Sequence, residues 1–402
     1  MRPLGERYPS IPYLAERARR RMPFFAWEYL ASGTGSERLV ARNRAALDAV
    51  ELVPRVLKGR FTPDLSTELF GRRYSVPFGA APVGLSGLMW PGSERMIART
   101  AAKRAMPYCL STVANESPEA IGPLCGGNGW FQLYTPIDPD IRADLLKRAH
   151  DSGFGTLVVT VDVPVGSRRE RQLVAGVSVP PRFGPLTLYR AAIRPRWSFE
   201  TLVHGLPQFR TLAKYVESGT FAGAARHVGK VIDGRPDWDM LDAMRNAWPG
   251  HFVIKGILAP EDARRAVRMG ADGIVVSNHG GRQFDAAPAA IDALPQVARE
   301  VGGRLRVLFD SGIEGGLDIL RALSRGADFC LLGRAFLYAT AAVGKRGPDL
   351  AYDILRTDLE TNMIQFGAGN CDAMRPPWHP AATARAAASQ RGDAAGQVSP
   401  KG

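Results

Sequence analysis

Eight short apolar segments that alternate with helical stretches predict a (β/α)8 TIM barrel. Each segment ends in a polar or glycine-rich tip, and the intervening stretches are long enough to form the crossover helices between parallel strands. A helical N-terminal region and one long gap in the repeat predict two additions, an N-terminal helical cap and a long insertion after strand 4. The predicted strands are Phe78–Pro82, Tyr108–Ser111, Trp130–Leu133, Thr156–Asp162, Phe252–Lys255, Gly273–Ser277, Arg306–Asp310 and Asp328–Leu332.

The chain is predicted to contain a helical cap over residues 1–75, a barrel over 76–375 and a disordered tail over 376–402. Helical patterning and a proline at the start of the aromatic segment Phe24–Leu30 predict the cap, and the Pro, Ala, Ser and Gly content predicts the tail. The predicted helices between and after the strands are Glu94–Lys103, Pro118–Leu124, Ile141–Ser152, Pro260–Met269, Ala287–Val301, Gly316–Arg325, Ala335–Val343 and Pro348–Met363.

The insertion, residues 166–235, carries most of the excess positive charge of the chain. Gly166–Lys214 contains eight Arg and one Lys against two Glu, a net +7 of the formal +13 of the whole chain. Aromatic and aliphatic residues are interleaved with these cations, a composition that suits peripheral contact of residues 177–215 with an anionic membrane. The alternative is a lid that covers the site and packs on a neighbouring subunit. Nucleic acid is a poorer candidate because no binding fold for it is recognisable.

Composition limits the class of protein and its compartment. No run of 18 apolar residues and no secretory signal are evident, so the chain is expected in the cytoplasm, with the inner membrane face as a possible peripheral location. The four cysteines show no CxxC spacing, which predicts reduced thiols and no metal site.

The strongest candidate site follows the sixth predicted strand, where Ser277 and Asn278 lead into His279-Gly280-Gly281-Arg282. A histidine at a strand tip can accept a proton near neutral pH, and an arginine nearby can bind a carboxylate or phosphate through its planar fork. The alternative is that His279 only forms a hydrogen bond within a loop. The combination with two glycines and an arginine favours a site.

The seventh and eighth tips indicate an anion site, since barrels often bind phosphate in these loops. Ser311–Gly316 precedes a predicted helix and offers backbone N–H groups, while Leu332-Gly333-Arg334 adds a guanidinium. A phosphorylated cofactor fits this pattern.

These motifs resemble those of the FMN-dependent α-hydroxyacid dehydrogenases and oxidases over roughly residues 10–370. The insertion is most similar to that of the membrane-associated bacterial (S)-mandelate dehydrogenases, followed by the L-lactate dehydrogenases. Relatives are commonly homotetramers. The segments that carry the resemblance are Tyr29–Gly33, Ala81–Gly84, Leu110–Thr112, Trp130–Tyr134, Val253–Ile257, Ser277–Gln283, Asp310–Gly312 and Leu332–Arg334.

The resemblance implies oxidation of an L-2-hydroxy acid, mandelate- or lactate-like, to the 2-oxo acid. His279 would be the general base and Asp162 would stabilise its imidazolium. Arg169 and Arg282 would bind the substrate carboxylate. The remaining implied roles are hydrogen bonds to substrate from Tyr29 and Tyr134, charge at the flavin from Lys255, and FMN contacts from Pro82, Val83, Gly84, Ser111, Gln132, Thr160, Ser277, Asp310, Ser311, Gly312, Gly333 and Arg334.

One position departs from the family pattern. Glu314 stands where much of the family has an arginine that helps to bind the flavin phosphate, so FMN affinity is expected to be lower than with arginine. Electrons are expected to pass to a quinone or another membrane acceptor. The alternatives are an oxidase that uses O2, a flavin enzyme for a larger or peptide-derived substrate, and a flavin-binding partner protein without turnover. The sequence determines neither the side chain of the 2-hydroxy acid nor a hydride or carbanion route.

Overall fold

The computed structural model describes residues 3–176, 184–215, 229, 231–232 and 235–379. The predicted tail from residue 380 onward therefore lies outside the described residues, as do residues 177–183 and most of 216–234 in the predicted insertion.

Eight parallel strands form a closed barrel in sequence order, with the last strand pairing with the first. Each apolar segment predicted as a strand forms one, which confirms the predicted fold class. The barrel strands, numbered after two hairpin strands that precede them, are β3 (Phe78–Ala80), β4 (Tyr108–Ser111), β5 (Gly129–Leu133), β6 (Thr156–Thr160), β7 (His251–Ile257), β8 (Gly273–Val276), β9 (Arg306–Phe309) and β10 (Phe329–Leu332).

Helices surround the barrel, and longer helices at both ends of the chain complete the outer layer. Those before the insertion are Leu4–Arg7, Ile11–Arg21, Phe24–Ala31, Arg38–Asp48, Ser86–Met89, Ser93–Arg104, Pro118–Ile121 and Pro139–Asp151. Those within it and after it are Glu170–Val174, Pro185–Ala192, Pro195–His204, Trp238–Ala247, Pro260–Arg268, Ala290–Val301, Gly316–Ser324, Arg334–Val343 and Gly347–Phe366.

The barrel interior has an apolar layer below a polar one. Because side chains alternate along a strand, residues two apart point the same way. Val253 lies in the interior apolar cluster and Lys255 lies above it on β7; Val275 and Ser277 repeat the arrangement at β8. The other pairs are Cys109 and Ser111, Trp130 and Gln132, Val158 and Thr160, and Leu308 and Asp310. The polar layer therefore lies at one end of the barrel.

The opposite end is closed by a hairpin that the sequence did not predict. Its strands, β1 (Thr67–Leu69) and β2 (Arg72–Tyr74), are joined by Phe70 and Gly71, both with positive φ, as the tightest hairpin turns require. The Phe70 ring stacks on His251 at 5.0 Å between ring centroids and lies 5.8 Å from Trp130. The predicted cap is thus helical up to Asp48 and ends in this hairpin.

The insertion helices pack on the cap and on the loop after β3. Trp197 is buried, donates its indole N–H to the Leu88 carbonyl at 3.1 Å and meets Phe25 edge to face. Arg194 donates to the carbonyl of Met22 at 3.0 Å. Helices Pro185–Ala192 and Pro195–His204 are therefore attached to the barrel through a few contacts and leave most of their apolar side chains exposed.

Candidate active site

A cavity of about 550 Å³ opens at the polar end of the barrel. Its size is typical of a site for a cofactor or a small ligand. Residues from the cap, from the strand tips and from the loops after β9 and β10 line it together. The residues that carry the argument below are Tyr29, Val40, Pro82, Val83, Gly84, Met89, Tyr134, Arg169, Lys255, His279, Arg282, Asp310, Ser311, Gly312, Glu314, Gly333, Arg334 and Tyr338.

His279 lines this cavity and pairs with Asp162, which lies behind it. The Nδ1 atom of His279 lies 3.0 Å from Oδ1 of Asp162, and both side chains are largely buried. Gly256, at a register shift in β7, makes this possible, since a Cβ there would lie 2.6 Å from the Cβ of Asp162. A carboxylate that accepts from Nδ1 leaves Nε2 as the basic nitrogen facing the cavity.

The electrostatics of the pair leave the imidazole neutral. Desolvation lowers the pKa of His279 below its ordinary value, although the charge of Asp162 opposes the shift. Desolvation raises the pKa of Asp162, but the interaction with His279 and the charge of Lys255 together outweigh it and lower that pKa below its ordinary value. A neutral imidazole beside an ionised carboxylate can accept a proton near neutral pH.

Tyr134 lies on the cavity side of this imidazole, with its hydroxyl 3.4 Å from Nε2 of His279. Desolvation raises the pKa of the phenol to about 12, so the group stays protonated and can donate a hydrogen bond to an oxygen in the cavity.

Lys255 supplies a buried positive charge in the polar layer. Its Nζ lies 2.9 Å from Oδ2 of Asp310 and donates to Oγ of Ser277 at 2.9 Å. Desolvation lowers the pKa of Lys255, but the charges of Asp310 and Asp162 overcome this and raise it above its ordinary value. The lysine is therefore a fixed cation at the centre of the site.

Two guanidinium groups beside His279 have only neutral partners among the described residues. Arg282 donates to the carbonyls of Tyr29 and Ser32, and Arg169 donates to Ser167 and Gln283. Desolvation, with Arg169 nearby, lowers the pKa of Arg282 to about 9, which still leaves it cationic at neutral pH. Two partly buried cations without a carboxylate partner among the described residues attract an anion.

A third guanidinium, that of Arg334, also lines the cavity and donates to the same Ser32 carbonyl as Arg282. It donates to the carbonyls of Leu30, Gly280 and Ser32, again neutral groups. Some of the backbone N–H groups around the start of helix Gly316–Ser324, which were expected to bind an anion, already donate to carboxylates of the protein. Asp358 accepts from the N–H groups of Gly316 and Leu317, and Asp318 accepts from that of Glu314.

The polar layer below the cavity contains an unpaired hydrogen-bond donor. Gln132 accepts from the Ser111 hydroxyl through Oε1 at 2.8 Å, while its buried Nε2 has no partner among the described residues. Ser111, Gln132, Thr160 and Ser277 lie at strand ends beneath the cavity instead of lining it. All other predicted cofactor residues line it.

Several contributors were not predicted from the sequence. Ile11, Pro12 and Ala15 of the cap and Tyr338 line the cavity, and Asn43 of helix Arg38–Asp48 contacts the loop that carries His279. The only local signal was an asparagine within a helix, where that residue is unfavourable without a specific partner.

The fold and site define a barrel with a cavity lined by a carboxylate-paired histidine, a buried lysine and three arginines that have only neutral described partners. The chain belongs to the FMN-dependent dehydrogenase family, whose model matches residues 18–379. This confirms the predicted class, an FMN-dependent oxidoreductase of 2-hydroxy acids, and FMN as the cofactor.

Known relatives cover nearly the whole chain. The L-lactate dehydrogenase of Ectopseudomonas mendocina (strain ymp) is 42% identical over 356 residues, 87% of this chain and 93% of that protein. The L-lactate dehydrogenase of Caulobacter vibrioides (strain NA1000 / CB15N) is 40% identical over 356 residues, 88% of this chain and 92% of that protein.

Solved structures agree. The monotopic membrane protein (S)-mandelate dehydrogenase superposes with a TM-score of 0.86 at 34% identity, covering 92% of this chain and 97% of that chain. A mandelate oxidase has a TM-score of 0.78 at 35% identity, covering 91% and 97%.

The residues present fit FMN. The unpaired Nε2 of Gln132 and the cationic Lys255 suit the polar edge of a flavin, and Arg334 suits its phosphate. Gly84 lines the cavity and packs closely on Val113, since a Cβ at position 84 would lie 2.6 Å from Cγ2 of Val113.

Proposed function

We propose that this protein oxidises an L-2-hydroxy acid to the 2-oxo acid, with His279 as the base. The supporting observation is the His279–Asp162 pair, 3.0 Å apart, in a cavity where Arg169 and Arg282 have only neutral described partners. A protein that only bound flavin would have no use for this arrangement. The proposed function is therefore that of an enzyme and not of a flavin-binding protein without turnover.

Each side chain has a distinct role in the proposed reaction. Arg169 and Arg282 bind the carboxylate of the substrate, and their planar forks fix its orientation. The Tyr29 ring, 5.4 Å from the Arg282 guanidinium, shields that cation from solvent. Tyr134 donates to the oxygen on the reacting carbon, which places that carbon near Nε2 of His279.

The proton balance follows from the pair. The substrate loses two electrons and two protons, and Nε2 of His279 takes one of those protons. Asp162 then stabilises the imidazolium through the 3.0 Å contact at Nδ1. FMN, when bound, would supply the acceptor for both electrons and for the second proton. Pro82, Val83, Gly84, Gln132, Lys255, Gly312 and Arg334 would hold it.

The substrate is proposed to be lactate- or mandelate-like because the relatives include both kinds of dehydrogenase. Met89 and Val113 add apolar surface to the cavity. Anaerobic titration with L-lactate, L-mandelate and other L-2-hydroxy acids should bleach the flavin absorbance with at least one of them. No bleaching across the panel would favour binding without turnover.

We propose that the electron acceptor is a quinone and that the insertion contacts an anionic membrane. Helices Pro185–Ala192 and Pro195–His204 and their connections expose apolar side chains beside Arg190, Arg194 and Arg196, as interfacial segments do. No helix in the described part of the chain is long and apolar enough to cross a bilayer. The exposed apolar residues are Leu186, Leu188, Tyr189, Ile193, Phe199, Leu202, Val203 and Leu206.

Flotation with phospholipid vesicles tests this surface. The protein should float with anionic vesicles and not with neutral ones, and a Phe199→Ser, Leu202→Ser variant should stay at the bottom. Ile364→Ser, also an exposed apolar position, is the matched control and should float like the unaltered protein. Equal flotation of both variants would contradict the proposal. A separate assay with a quinone analogue and with O2 identifies the acceptor.

We also propose that the protein is a homo-oligomer, a tetramer by analogy with its relatives. Residues 51–60 have no regular secondary structure and expose Val53, Val56 and Leu57, an apolar surface of the kind that a second copy covers. Sedimentation equilibrium gives the mass directly, and a monomer would exclude this part of the proposal.

A further inference from the structure

The loop that carries His279, here the His279 loop (Ser277–Arg282), has an unfavourable backbone. His279, Gly280 and Gly281 have consecutive φ angles of +57°, +64° and +76°. Glycine adopts such angles freely, whereas a histidine does so only when the surrounding structure holds it there. The position of the imidazole therefore depends on whatever fixes this loop.

Asn278, next to His279, is held by an asparagine 235 residues earlier in the chain. Nδ2 of Asn43 donates to Oδ1 of Asn278 at 2.9 Å, and Nδ2 of Asn278 donates back to Oδ1 of Asn43 at 2.7 Å. Both side chains are buried, with 2% and 5% of their surface exposed. The two amides thus form a reciprocal pair with no access to water.

Backbone groups fix the orientation of both amides. Oδ1 of Asn278 also accepts from the N–H of Gly281 at 3.2 Å, and its Nδ2 also donates to the carbonyl of Pro288 at 3.1 Å. Oδ1 of Asn43 accepts from the N–H of Ala290 at 3.3 Å. The donor and acceptor atoms of Asn278 are therefore fixed in place. Only an amide side chain at position 43 can both donate to Asn278 and accept from it.

Residues of the cap also pack closely against the His279 loop. A Cβ on Gly281 would lie 2.8 Å from Cγ2 of Val40, and the N–H of Thr34 donates to the Gly281 carbonyl at 3.0 Å. Residues on both sides of His279 are thereby tied to the N-terminal cap. The alternative is that Asn43 only satisfies buried polar groups and has no effect on the imidazole.

We infer that Asn43 is a positioning residue for His279, acting through Asn278 to hold Nδ1 against Asp162. This inference rests on the proposed role of His279 as the base. It assigns a catalytic consequence to a residue of the cap that does not line the cavity.

The test uses the FMN-loaded enzyme with Asn43→Ala and Asn43→Asp. Both should lower kcat roughly 10- to 100-fold, because misplacement of a reacting group has effects of this size. The acid limb of the pH profile should move to lower pH, since the charge of Asp162 raises the pKa of His279 and the variants weaken that contact. The 15N NMR signal of Nδ1 should shift in parallel, without any need for turnover.

Asn128→Ala is the matched control. Asn128 is a buried asparagine just before β5, at the opposite end of the barrel, and its Nδ2 donates to the Ala101 carbonyl. This variant should lose thermal stability and keep the pH profile and the Nδ1 signal. Asn43→Asp keeps the volume and one acceptor, so a role in packing alone predicts near-normal kcat for it. It also serves as the test if Asn43→Ala does not fold.

Two results would overturn the inference: an unchanged pH profile and Nδ1 signal in Asn43→Asp, or equal changes in Asn128→Ala. His279→Ala separates this failure from failure of the proposed function. If His279→Ala keeps full turnover, the proposed base is wrong. If it is inactive while the Asn43 variant behaves like the unaltered protein, only the positioning role is wrong.

Discussion

The barrel has a histidine–aspartate pair at each end, and the two pairs differ in almost every respect that matters for chemistry. At the open end His279 lies 3.0 Å from Asp162, and the two side chains are 18% and 14% exposed. At the closed end His251 lies 3.4 Å from Asp272, with 42% and 29% exposure, and its ring stacks on Phe70. The residue pair alone therefore does not define a site.

The surroundings explain the difference. At the closed end charged groups pair with each other, as in the buried contact of 2.8 Å between Arg375 and Asp328. At the open end Arg169, Arg282 and Arg334 have only neutral described partners. In barrels of this kind the carboxyl ends of the strands carry the chemistry and the amino ends carry stability. Substitutions at the two ends should accordingly affect different properties.

The largest contrast is expected between the two histidines. His279→Ala should lower kcat about 10²- to 10⁴-fold, the usual contribution of a general base. His251→Ala should change kcat less than about threefold, because it removes a partly exposed ring that stacks on Phe70 and contacts Asp272 away from the cavity. Steady-state kinetics with an artificial acceptor measures both. Comparable losses would show that the distinction between the two ends is wrong.

Arg375→Ala should lower the stability of the protein and leave kcat unchanged. It leaves the buried Asp328 with weaker partners, Arg306 at 3.5 Å and His379 at 3.6 Å. Loss of one partner of a buried ion pair costs about 3 kcal/mol of unfolding free energy. Thermal unfolding should show the loss, while kcat of the folded fraction stays unchanged. A fall in kcat at full stability would contradict the assignment of this end to stability.

Gly256→Ala should damage the open end through Asp162. The added Cβ would lie 2.6 Å from the Cβ of Asp162, at a residue with φ of +113°. Displacing Asp162 should lower kcat about 100-fold. Gly155→Ala is the control because nothing lies within 4 Å of its Cβ. If both variants have normal kcat, the contact of Asp162 with His279 does not limit catalysis.

Asp162→Asn should move the pH profile. Desolvation lowers the pKa of His279, and the charge of Asp162 is the largest opposing influence. Removal of that charge should lower the pKa further, so the acid limb of kcat/KM should shift down by about one unit or more. A limb that stays in place would mean that it reports another group.

The smallest effect is expected from substitution of Glu314. Glu314 lines the cavity, and desolvation raises the pKa of its carboxyl although Arg44 opposes the shift. Glu314→Arg should lower the Kd for FMN about tenfold by replacing repulsion with a charge-assisted contact. Glu68→Arg, an exposed position on the hairpin, adds the same charge at the closed end and should leave the Kd unchanged. Flavin fluorescence measures both, and equal constants for Glu314 and Arg would refute the idea.

The sequence predicted the barrel well because its signals are local. An apolar segment such as Ile274–Val276, buried on both faces, is recognisable wherever it occurs, and the polar tip follows from alternation along the strand. It did not predict the hairpin formed by β1 and β2, because Phe70 and Gly71 are not a common turn pair. It also suggested free backbone N–H groups over Ser311–Gly316, whereas the N–H groups of Glu314 and Gly316 donate to Asp318 and Asp358.

The sequence by itself determined which residues reach the open end of the barrel, since two-residue alternation places Lys255 and Ser277 above the apolar layer. The tertiary structure alone decided which of them are paired. Asp310 pairs with Lys255, Asp162 with His279 and Asn43 with Asn278, while three arginines have only neutral described partners. The physical reason is that closure of the barrel brings together groups far apart in the chain, and their burial makes each pairing decisive for charge.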